Sequence, residues 1–161
     1  IFIIGVKRDK RRRKNLLEER FEWPKPIISK RKVGSILDKE VDEKYTISPL
    51  LWRSHKERKR RNKMRGVGFG FGEVNAESPY TRTLSARYYK DGSEILVRNG
   101  KDRPRKLTPK ECSKLMGFPY TYQLNPKVSD HQKYKQFGNS VCVPLVTLLG
   151  YSLINYLKEN T

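Results

Sequence analysis

Apolar residues at the start of the chain form its first recognisable pattern. Ile1–Val6 is a continuous β-branched and aromatic run, typical of a strand that is buried on both faces of a sheet. A buried strand needs neighbours, so either the chain is a fragment or another chain completes its sheet. Residues 15–30 then predict a short helix followed by an extended segment at Trp23-Pro24-Lys25-Pro26.

The middle of the chain alternates short apolar and charged segments. Val33–Leu37 and Tyr45–Trp52 predict two short elements, separated by an acidic patch over residues 38–43. Residues 80–98 predict a β-hairpin, because a run of strand formers meets a turn signal at Lys90–Ser93 and then returns. A hairpin with arginines and tyrosines on its faces suits a protein that reads DNA or RNA, although surface Arg–Tyr pairs are also common.

The strongest local signal specifies a helix that begins near residue 108. Thr108 occupies the N-cap position, Pro109 occupies the first helical position, and Glu111 completes a capping box. The helix is predicted to run to about Met116 and to stop at Gly117.

A second helix is predicted near the C-terminus, from about residue 141 to residue 158. Apolar residues recur there at helical spacing, and Pro144 is tolerable in a first turn. The segment Gly138-Asn139-Ser140 would stand just before this helix, where free backbone N–H groups and the helix dipole favour a negative charge. From the residues alone, this segment is most simply an N-cap.

The charge balance indicates a polyanionic partner. The chain has 161 residues, about one domain by length, with 36 Lys and Arg against 17 Asp and Glu and a formal net charge of +19. Such a surplus attracts polyanions, and nucleic acids are the commonest polyanions in a cell. The alternative is a ribosome-like basic protein, or one that is merely kept soluble by its charge. Composition does not choose between DNA and RNA.

A basic run, Arg53–Arg65, adjoins a glycine-rich stretch, Gly66–Gly72. Eight of the thirteen residues in the run are Lys or Arg, which is as consistent with a solvated face as with phosphate contacts. Alternating glycines let the backbone approach a partner closely. The stretch is not a nucleotide-binding loop, because no Lys-Ser or Lys-Thr pair follows it. It is either a flexible turn or a place where backbone and phenyl rings meet a nucleic acid.

Cysteine usage and hydropathy indicate a cytoplasmic protein. Cys112 and Cys142 are too few for a disulfide framework or a zinc site, which fits a reducing compartment. We expect no apolar run long enough to span a membrane, and no signal peptide.

Two longer motifs resemble those of a known family. Arg105–Pro119 closely resembles the ninth conserved motif of the DNA (cytosine-5) methyltransferases, which organises their target-recognition domain. Tyr134–Val141 resembles the tenth motif, in which Asn and Ser help to hold S-adenosylmethionine at its amino-acid end. Ile1–Val6 resembles the strand that ends the eighth motif, and Thr83-Leu84 resembles the Thr-Leu pair of the target-recognition region.

This resemblance implies two sets of site residues. The cofactor-binding residues would be Gly138, Asn139, Ser140 and Val141. The DNA-contacting residues would be Arg65, Phe71, Arg82, Thr83, Leu84 and Arg87. Within the second set, Thr83 is expected near the phosphate of the flipped nucleotide and Phe71 in the gap that the flipped base leaves. The arginines are candidates for base or phosphate contacts.

The family's catalytic residues have no counterpart in this sequence. The nucleophilic cysteine of the family sits in a Pro-Cys pair and its acid in Glu-Asn-Val, and the sequence holds neither. The glycine-rich cofactor strand of the first motif is missing too. We therefore expect the chain alone to be inactive, with an N-terminal catalytic part supplying these groups from the same chain or from a separate subunit.

The expected architecture is an α/β fragment in three parts. Residues 1–14 would complete the sheet of a Rossmann-like S-adenosylmethionine methyltransferase domain, and residues 15–126 would form a mixed irregular and β target-recognition domain. Residues 127–161 would form a hinge, around residues 125–135, and a helix that returns to the catalytic domain.

The expected function is recognition of double-stranded DNA and completion of the S-adenosylmethionine site in an enzyme that methylates C5 of a flipped cytosine. Two alternatives stay open. One is a non-catalytic, sequence-specific DNA-binding module, and the other is an RNA cytosine methyltransferase.

Overall fold

The computed structural model describes residues 2–5, 21–26, 30–98 and 100–159. The chain divides into two compact units, one of them Ile28–Val143 and the other formed by Ile1–Ile27 with Pro144–Thr161. The larger unit combines a small mixed sheet with helices, so the predicted α/β class is confirmed. Residues 7–14, part of the predicted sheet-completing segment 1–14, lie outside the described residues. Most of the helix predicted within residues 15–30 does too, and residues 21–26 have no regular structure.

Helices contribute most of the regular structure in the described residues. In chain order they are α1 (Pro49–Arg65), α2 (Tyr88–Asp91), α3 (Pro109–Leu115), α4 (Asp130–Asn139) and α5 (Val143–Glu159). Two 3₁₀ turns, Val33–Ser35 and Glu43–Tyr45, precede α1 and fall within or beside the two short elements predicted there.

The sheet of the larger unit consists of three two-residue strands. They are β1 (Glu73–Val74), β2 (Leu96–Val97) and β3 (Arg105–Lys106), adjacent in that order. β1 and β2 run parallel, whereas β2 and β3 run antiparallel. Both residues of β2 are buried, so the middle strand lies in the core.

The predicted hairpin over residues 80–98 is wrong over most of its length. Tyr88–Asp91 forms helix α2, which ends at Gly92 with a φ of 64°. The Tyr88 hydroxyl donates to the carbonyl of Ile95 (2.6 Å) and accepts from the N–H of Leu107 (2.8 Å), so its ring is buried instead of lying on a hairpin face. These tertiary contacts override the strand propensity of the run.

Two apolar clusters form the core of the larger unit. The main one comprises Val33, Val74, Leu84, Tyr88, Ile95, Val97, Leu107, Cys112, Tyr134 and Phe137. A second cluster comprises Ile47, Phe71 and Leu96, with Leu51 and Trp52 packed against it. Because the sheet residues Leu96 and Val97 belong to different clusters, β2 connects the two.

Helix α3 begins as the sequence predicts. The Thr108 hydroxyl accepts from the N–H of Glu111 (3.1 Å), and the Glu111 carboxylate accepts from the N–H of Thr108 (2.8 Å), which completes the capping box. The same carboxylate accepts two hydrogen bonds from the Arg105 guanidinium, at 2.7 and 2.8 Å, and one from the N–H of Asp38 at 2.8 Å. The ion pair is almost fully buried, with side-chain exposures of 6% for Arg105 and 0% for Glu111.

The basic run is helical. Ser48 caps α1 by accepting from the N–H of Leu51 (3.2 Å), Pro49 occupies the first turn, and Gly66 ends the helix with a φ of 66°. The apolar residues that precede the run supply its buried side, because Trp52 packs on the second core cluster.

The region predicted as a hinge, residues 125–135, is partly helical instead. Helix α4 begins at Asp130, capped by Ser129, and buries Tyr134 and Phe137 in the main core cluster. The Tyr134 hydroxyl donates to the carbonyl of Leu107 at 2.5 Å. Apolar residues three apart on one helix face therefore hold this segment in place.

Helix α5 begins at Val143, two residues later than predicted. Within the smaller unit it buries Tyr156 against Phe21, at a ring-centroid distance of 5.9 Å. The predicted strand Ile1–Val6 is not formed at residues 2–5, where Ile3 is 93% exposed. A strand requires a hydrogen-bonding neighbour, and none of the described residues pairs with this segment.

The helical stretch Asp130–Glu159 is long and apolar enough to cross a membrane, judged by length and composition alone. This overturns the expectation that no such segment exists. The apolar side chains that helix α5 leaves exposed include Leu145, Val146, Tyr151, Ile154 and Leu157.

Replacing Glu111 should destabilise the larger unit strongly. Glu111→Gln leaves the Arg105 guanidinium buried without its counter-charge, which should cost about 3–5 kcal/mol of unfolding free energy. The measurement is urea unfolding followed by Trp52 fluorescence in a Trp23→Phe background. The control Lys110→Gln changes an exposed residue on the same helix and should alter stability by less than about 0.5 kcal/mol. A loss below about 1 kcal/mol for Glu111→Gln would contradict the role of the ion pair.

A methyl group at Gly138 should be poorly tolerated. A Cβ built there would lie 2.3 Å from backbone atoms of Ser85 and Ala86, whereas a Cβ at Gly150 would have nothing within 4 Å. Gly138→Ala should therefore cost about 1–3 kcal/mol through overpacking, while Gly150→Ala should stabilise its helix by about 0.5–1 kcal/mol. Denaturant unfolding of the two variants compares them directly, and equal stabilities would refute the close contact.

Candidate nucleic-acid interface

Helix α1 presents a dense cationic surface. Its only acidic residue is Glu57, which pairs with Arg60 at 2.8 Å. The basic side chains that α1 exposes are Arg53, Lys56, Lys59, Arg60, Arg61, Lys63 and Arg65. Arg65, a predicted DNA contact, lies at the C-terminal end of this surface. We call these seven residues the α1 basic face. It can neutralise several phosphates of a nucleic-acid backbone.

A buried histidine fixes the orientation of α1. His55 is 1% exposed, its Nε2 lies 3.1 Å from the carbonyl oxygen of Asp91, and its Nδ1 lies 2.9 Å from the Arg58 guanidinium. Since a guanidinium can only donate, Nδ1 accepts and Nε2 carries the proton. Arg58 also pairs with the Asp91 carboxylate at 3.1 Å. This triad joins α1 to the end of α2 and turns Arg58 away from the basic face.

The glycine-rich stretch folds back against α1. Gly70 has a φ of 76°, and a Cβ there would lie 2.7 Å from Lys59 Cα, so only glycine fits this approach. The N–H of Phe71 bonds the carbonyl of Phe69 (3.0 Å), which makes a tight three-residue turn around Gly70. The turn gives the two phenyl rings different environments.

Phe71 does not lie where the resemblance implies. It is 6% exposed, packs edge-on to Trp52 at 5.1 Å, and has the Lys59 ammonium 4.3 Å from its ring centroid. Its assignment to the gap left by a flipped base is therefore corrected: the ring belongs to the core. Phe69 is the exposed phenyl group of this stretch, with 44% of its surface accessible.

The predicted contacts between residues 82 and 87 divide into surface and core positions. Arg82, Thr83 and Arg87 are exposed, as a ligand contact requires. Leu84 is 5% exposed and belongs to the main core cluster, so its side chain anchors the segment and cannot meet DNA directly. The Arg82 guanidinium lies 3.9 Å from the centroid of the Phe69 ring.

Gly138 and Asn139 lie at the end of a helix, and Ser140 opens the link, residues 140–142, that leads to α5. Gly138 and Asn139 form the last turn of α4, and the hydroxyl of its C-cap Ser140 donates to the carbonyl of Phe137 (2.7 Å). The predicted N-terminal position is therefore corrected, because burial of Phe137 continues α4 through this segment. A helix C-terminus carries partial negative charge and favours a cation.

Access to solvent differs among these four cofactor candidates. The side chain of Asn139 is exposed, and Val141 is 51% exposed. Gly138 is in close contact with the 85–86 turn, which directly follows Thr83-Leu84. The predicted cofactor segment and the predicted DNA-contacting segment thus touch within one compact unit.

Neither cysteine has the surroundings of a catalytic nucleophile. Cys112 is buried in α3, and this burial raises the pKa of its thiol well above the usual range, with the neighbouring Glu111 charge adding to the effect. Cys142 is exposed in the link between α4 and α5.

The sequence did not predict the roles of two residues of this candidate interface, His55 and Phe69. The burial of His55 was not predicted because it lies within the basic run, although Leu51, Trp52 and His55 have the spacing of one helix face. Phe69 was not separated from Phe71, because an extended strand would put residues two apart on the same face. The positive φ of Gly70 exposes Phe69 and buries Phe71, and a glycine in the sequence does not by itself specify a positive φ.

Comparison with known proteins adds three kinds of similarity. The family model of the C-5 cytosine-specific DNA methylases matches residues 1–155. The type II methyltransferase M.DsaV of Dactylococcopsis salina is 50% identical over 157 residues, which cover 98% of this chain and 43% of that protein. The type II methyltransferase M.SsoII of Shigella sonnei is 49% identical over 159 residues, covering 99% of this chain and 40% of that protein.

Solved structures share the fold at lower identity. A Dnmt2 methyltransferase of S. pombe superposes with a TM-score of 0.66 and 18% identity, covering 81% of this chain and 44% of that chain. A DNMT2 mutant of Spodoptera frugiperda gives a TM-score of 0.67 and 22% identity over 83% of this chain and 45% of that one.

The chain thus spans less than half the length of these relatives. The motifs around Arg105–Pro119 and Tyr134–Val141 lie in the matched region, in the order that the resemblance requires. With a family match over almost its whole length, the chain belongs to the C-5 cytosine-specific DNA methylase family.

Proposed function

We propose that this chain is the DNA-recognising and cofactor-side part of a DNA (cytosine-5) methyltransferase. The observation that carries the proposal is the α1 basic face, which belongs to the same compact unit as the capped helix α3 and the segment Gly138-Asn139-Ser140. A surface of this kind binds nucleic acid through its phosphates. The family match makes duplex DNA the substrate that we propose.

The transfer chemistry belongs, in this proposal, to a catalytic part outside residues 1–161. Cys112 is buried with a raised thiol pKa, so it cannot supply the thiolate that attack on the cytosine ring needs. The share of the relatives that this chain covers leaves room for such a part. The two parts would be joined in one chain or held together as subunits.

Helix α5 is our candidate for the surface that meets the catalytic part. Its exposed apolar side chains would be costly in water and are characteristic of a contact surface. A membrane span would explain the same hydropathy, but the family membership favours a protein partner. Association with the catalytic part would bury Leu145, Tyr151 and Ile154.

Residues at the end of α4 fit one end of S-adenosylmethionine. That molecule carries an ammonium and a carboxylate at its amino-acid end, and it supplies the transferable methyl group when bound. The C-terminal dipole of α4 suits the ammonium, and the exposed Asn139 amide can donate and accept hydrogen bonds. The Ser140 hydroxyl donates to Phe137 and keeps its lone pairs for accepting.

Base flipping follows from the geometry of the proposed substrate. C5 of a cytosine is out of reach while the base is stacked in a duplex, so an enzyme that acts there extrudes the nucleotide. Thr83 is exposed and is held in place by the core residue Leu84, which suits a contact to the backbone of the flipped nucleotide. The α1 basic face would hold neighbouring phosphates.

Methyl transfer tests the proposal directly. This chain, the polypeptide encoded directly upstream, and their mixture are each incubated with duplex DNA and methyl-labelled S-adenosylmethionine. We expect label at cytosine C5 only when both parts are present. Methyl transfer by this chain alone would refute the proposal that the catalytic residues lie in another part of the enzyme. Salt-sensitive DNA binding without transfer in any tube would favour the non-catalytic DNA-binding module.

Charge removal on α1 tests the phosphate contacts. Changing Arg61, Lys63 and Arg65 together to Gln should weaken binding to all duplexes alike and reduce the slope of log K against log salt concentration by about 1 per lost contact. The matched control Lys32→Gln removes a positive charge that is already paired with Glu77. Equal salt slopes for the triple variant and the unaltered protein would show that these three side chains of α1 do not contact DNA phosphates.

A further inference from the structure

Arg82 and Phe69 form an unusual pair on the surface of the larger unit. Phe69 lies between Gly68 and Gly70, which have φ values of 60° and 76°, and 44% of its surface is accessible. The Arg82 guanidinium carbon lies 3.9 Å from the centroid of the ring, at stacking distance. An exposed aromatic side chain thus supports a cation at a surface that already carries excess positive charge.

Gly72 lies against both the backbone of Glu94 and the side chain of Arg82. A Cβ at residue 72 would overlap the Glu94 carbonyl oxygen, and it would lie 2.9 Å from Arg82 Cδ and 3.2 Å from Arg82 Nε. The stem of Arg82 therefore lies against the Gly72 backbone while its head stacks on Phe69. These two contacts restrict where the Arg82 side chain lies before any ligand arrives.

The donors of this guanidinium are available. Among the described residues, its N–H groups make no hydrogen bond or ion pair, whereas Arg58, Arg98 and Arg105 each pair with a carboxylate. The Phe69 ring contacts the guanidinium without using its N–H donors. A guanidinium held by such a contact can offer two parallel N–H donors to a ligand with two acceptors side by side in one plane.

We propose that Arg82 reads a guanine through its major-groove edge and that Phe69 positions it. The inference rests on the proposed function and deepens it. In the major groove only guanine offers two adjacent acceptors, N7 and O6, whereas adenine offers an acceptor beside a donor. A phosphate can be bound by a cation in many orientations, so the flexible side chains of the α1 basic face suffice to bind it. Pre-orientation by a ring and a glycine therefore favours a base over a phosphate.

The first experiment compares sequence preference in the complex of this chain with the catalytic part. A pool of randomised duplexes is methylated, and the modified molecules are sequenced for the unaltered protein and for Arg82→Ala. We expect Arg82→Ala to lose the preference for guanine at one position by roughly 5- to 150-fold, with the other positions unchanged. The control Lys32→Ala removes an exposed cation that is already paired with Glu77 and lies outside the predicted DNA contacts, so it should keep that preference.

Substituted guanine tests the contact itself. With 7-deazaguanine at the identified position, the N7 acceptor is absent, so the unaltered complex should bind more weakly than to the normal duplex. Arg82→Ala should bind both duplexes equally, because the contact is already gone.

Variants of Phe69 test the positioning role. Phe69→Leu keeps an apolar side chain but removes the aromatic face, and it should reduce the preference for guanine at the same position by roughly 2- to 5-fold. Phe69→Tyr retains the face and should restore the preference. A purely structural role for Phe69 would change overall binding or folding and leave the base preference untouched.

Two results would overturn the inference while leaving the proposed function intact. One is a uniform loss of binding to all sequences in Arg82→Ala, which indicates a phosphate contact. The other is an unchanged guanine preference in that variant. By contrast, an unaltered complex that neither methylates nor selects any sequence would overturn the proposed function, and this inference with it.

Discussion

Arg105 and Glu111 form a buried ion pair on which the larger unit depends. The Glu111 carboxylate accepts from Arg105, from the capping N–H of Thr108 and from the backbone of Asp38, so every acceptor position is used. A charge buried without such partners would cost several kcal/mol. One side chain thereby fixes the last strand of the sheet, the start of α3 and the segment after the first 3₁₀ turn.

Local chemistry made some elements predictable from the sequence. The capping box of α3 needs only Thr108, Pro109 and Glu111, which are close in sequence, and the structure has it as predicted. The hairpin over residues 80–98 failed because Tyr88 forms its decisive hydrogen bonds with Ile95 and Leu107, and the pattern of strand formers carries no trace of that pairing. Propensity was outweighed by a tertiary contact.

The sequence marked candidate segments for the site, but it did not decide which of their side chains are exposed. The glycine pattern marked the stretch Gly66–Gly72, and the family resemblance assigned Phe71 to a DNA contact although its ring is buried. The segment at Gly138 was predicted to stand just before a helix, but Gly138 lies in the last turn of α4 because burial of Phe137 extends that helix. Both errors have one cause: burial of an aromatic ring depends on contacts remote in sequence.

The contact of Gly138 with the 85–86 turn has a consequence for how this family can change. DNA specificity can change without loss of stability only at positions whose side chains do not contact Gly138 or residues 85–86. The exposed residues Phe69 and Arg82 are such positions, whereas Leu84 is buried in the core. An exchange of recognition segments between relatives would therefore work best with its boundaries inside residues 66–83, because the hybrid protein would then keep the contact between Gly138 and residues 85–86.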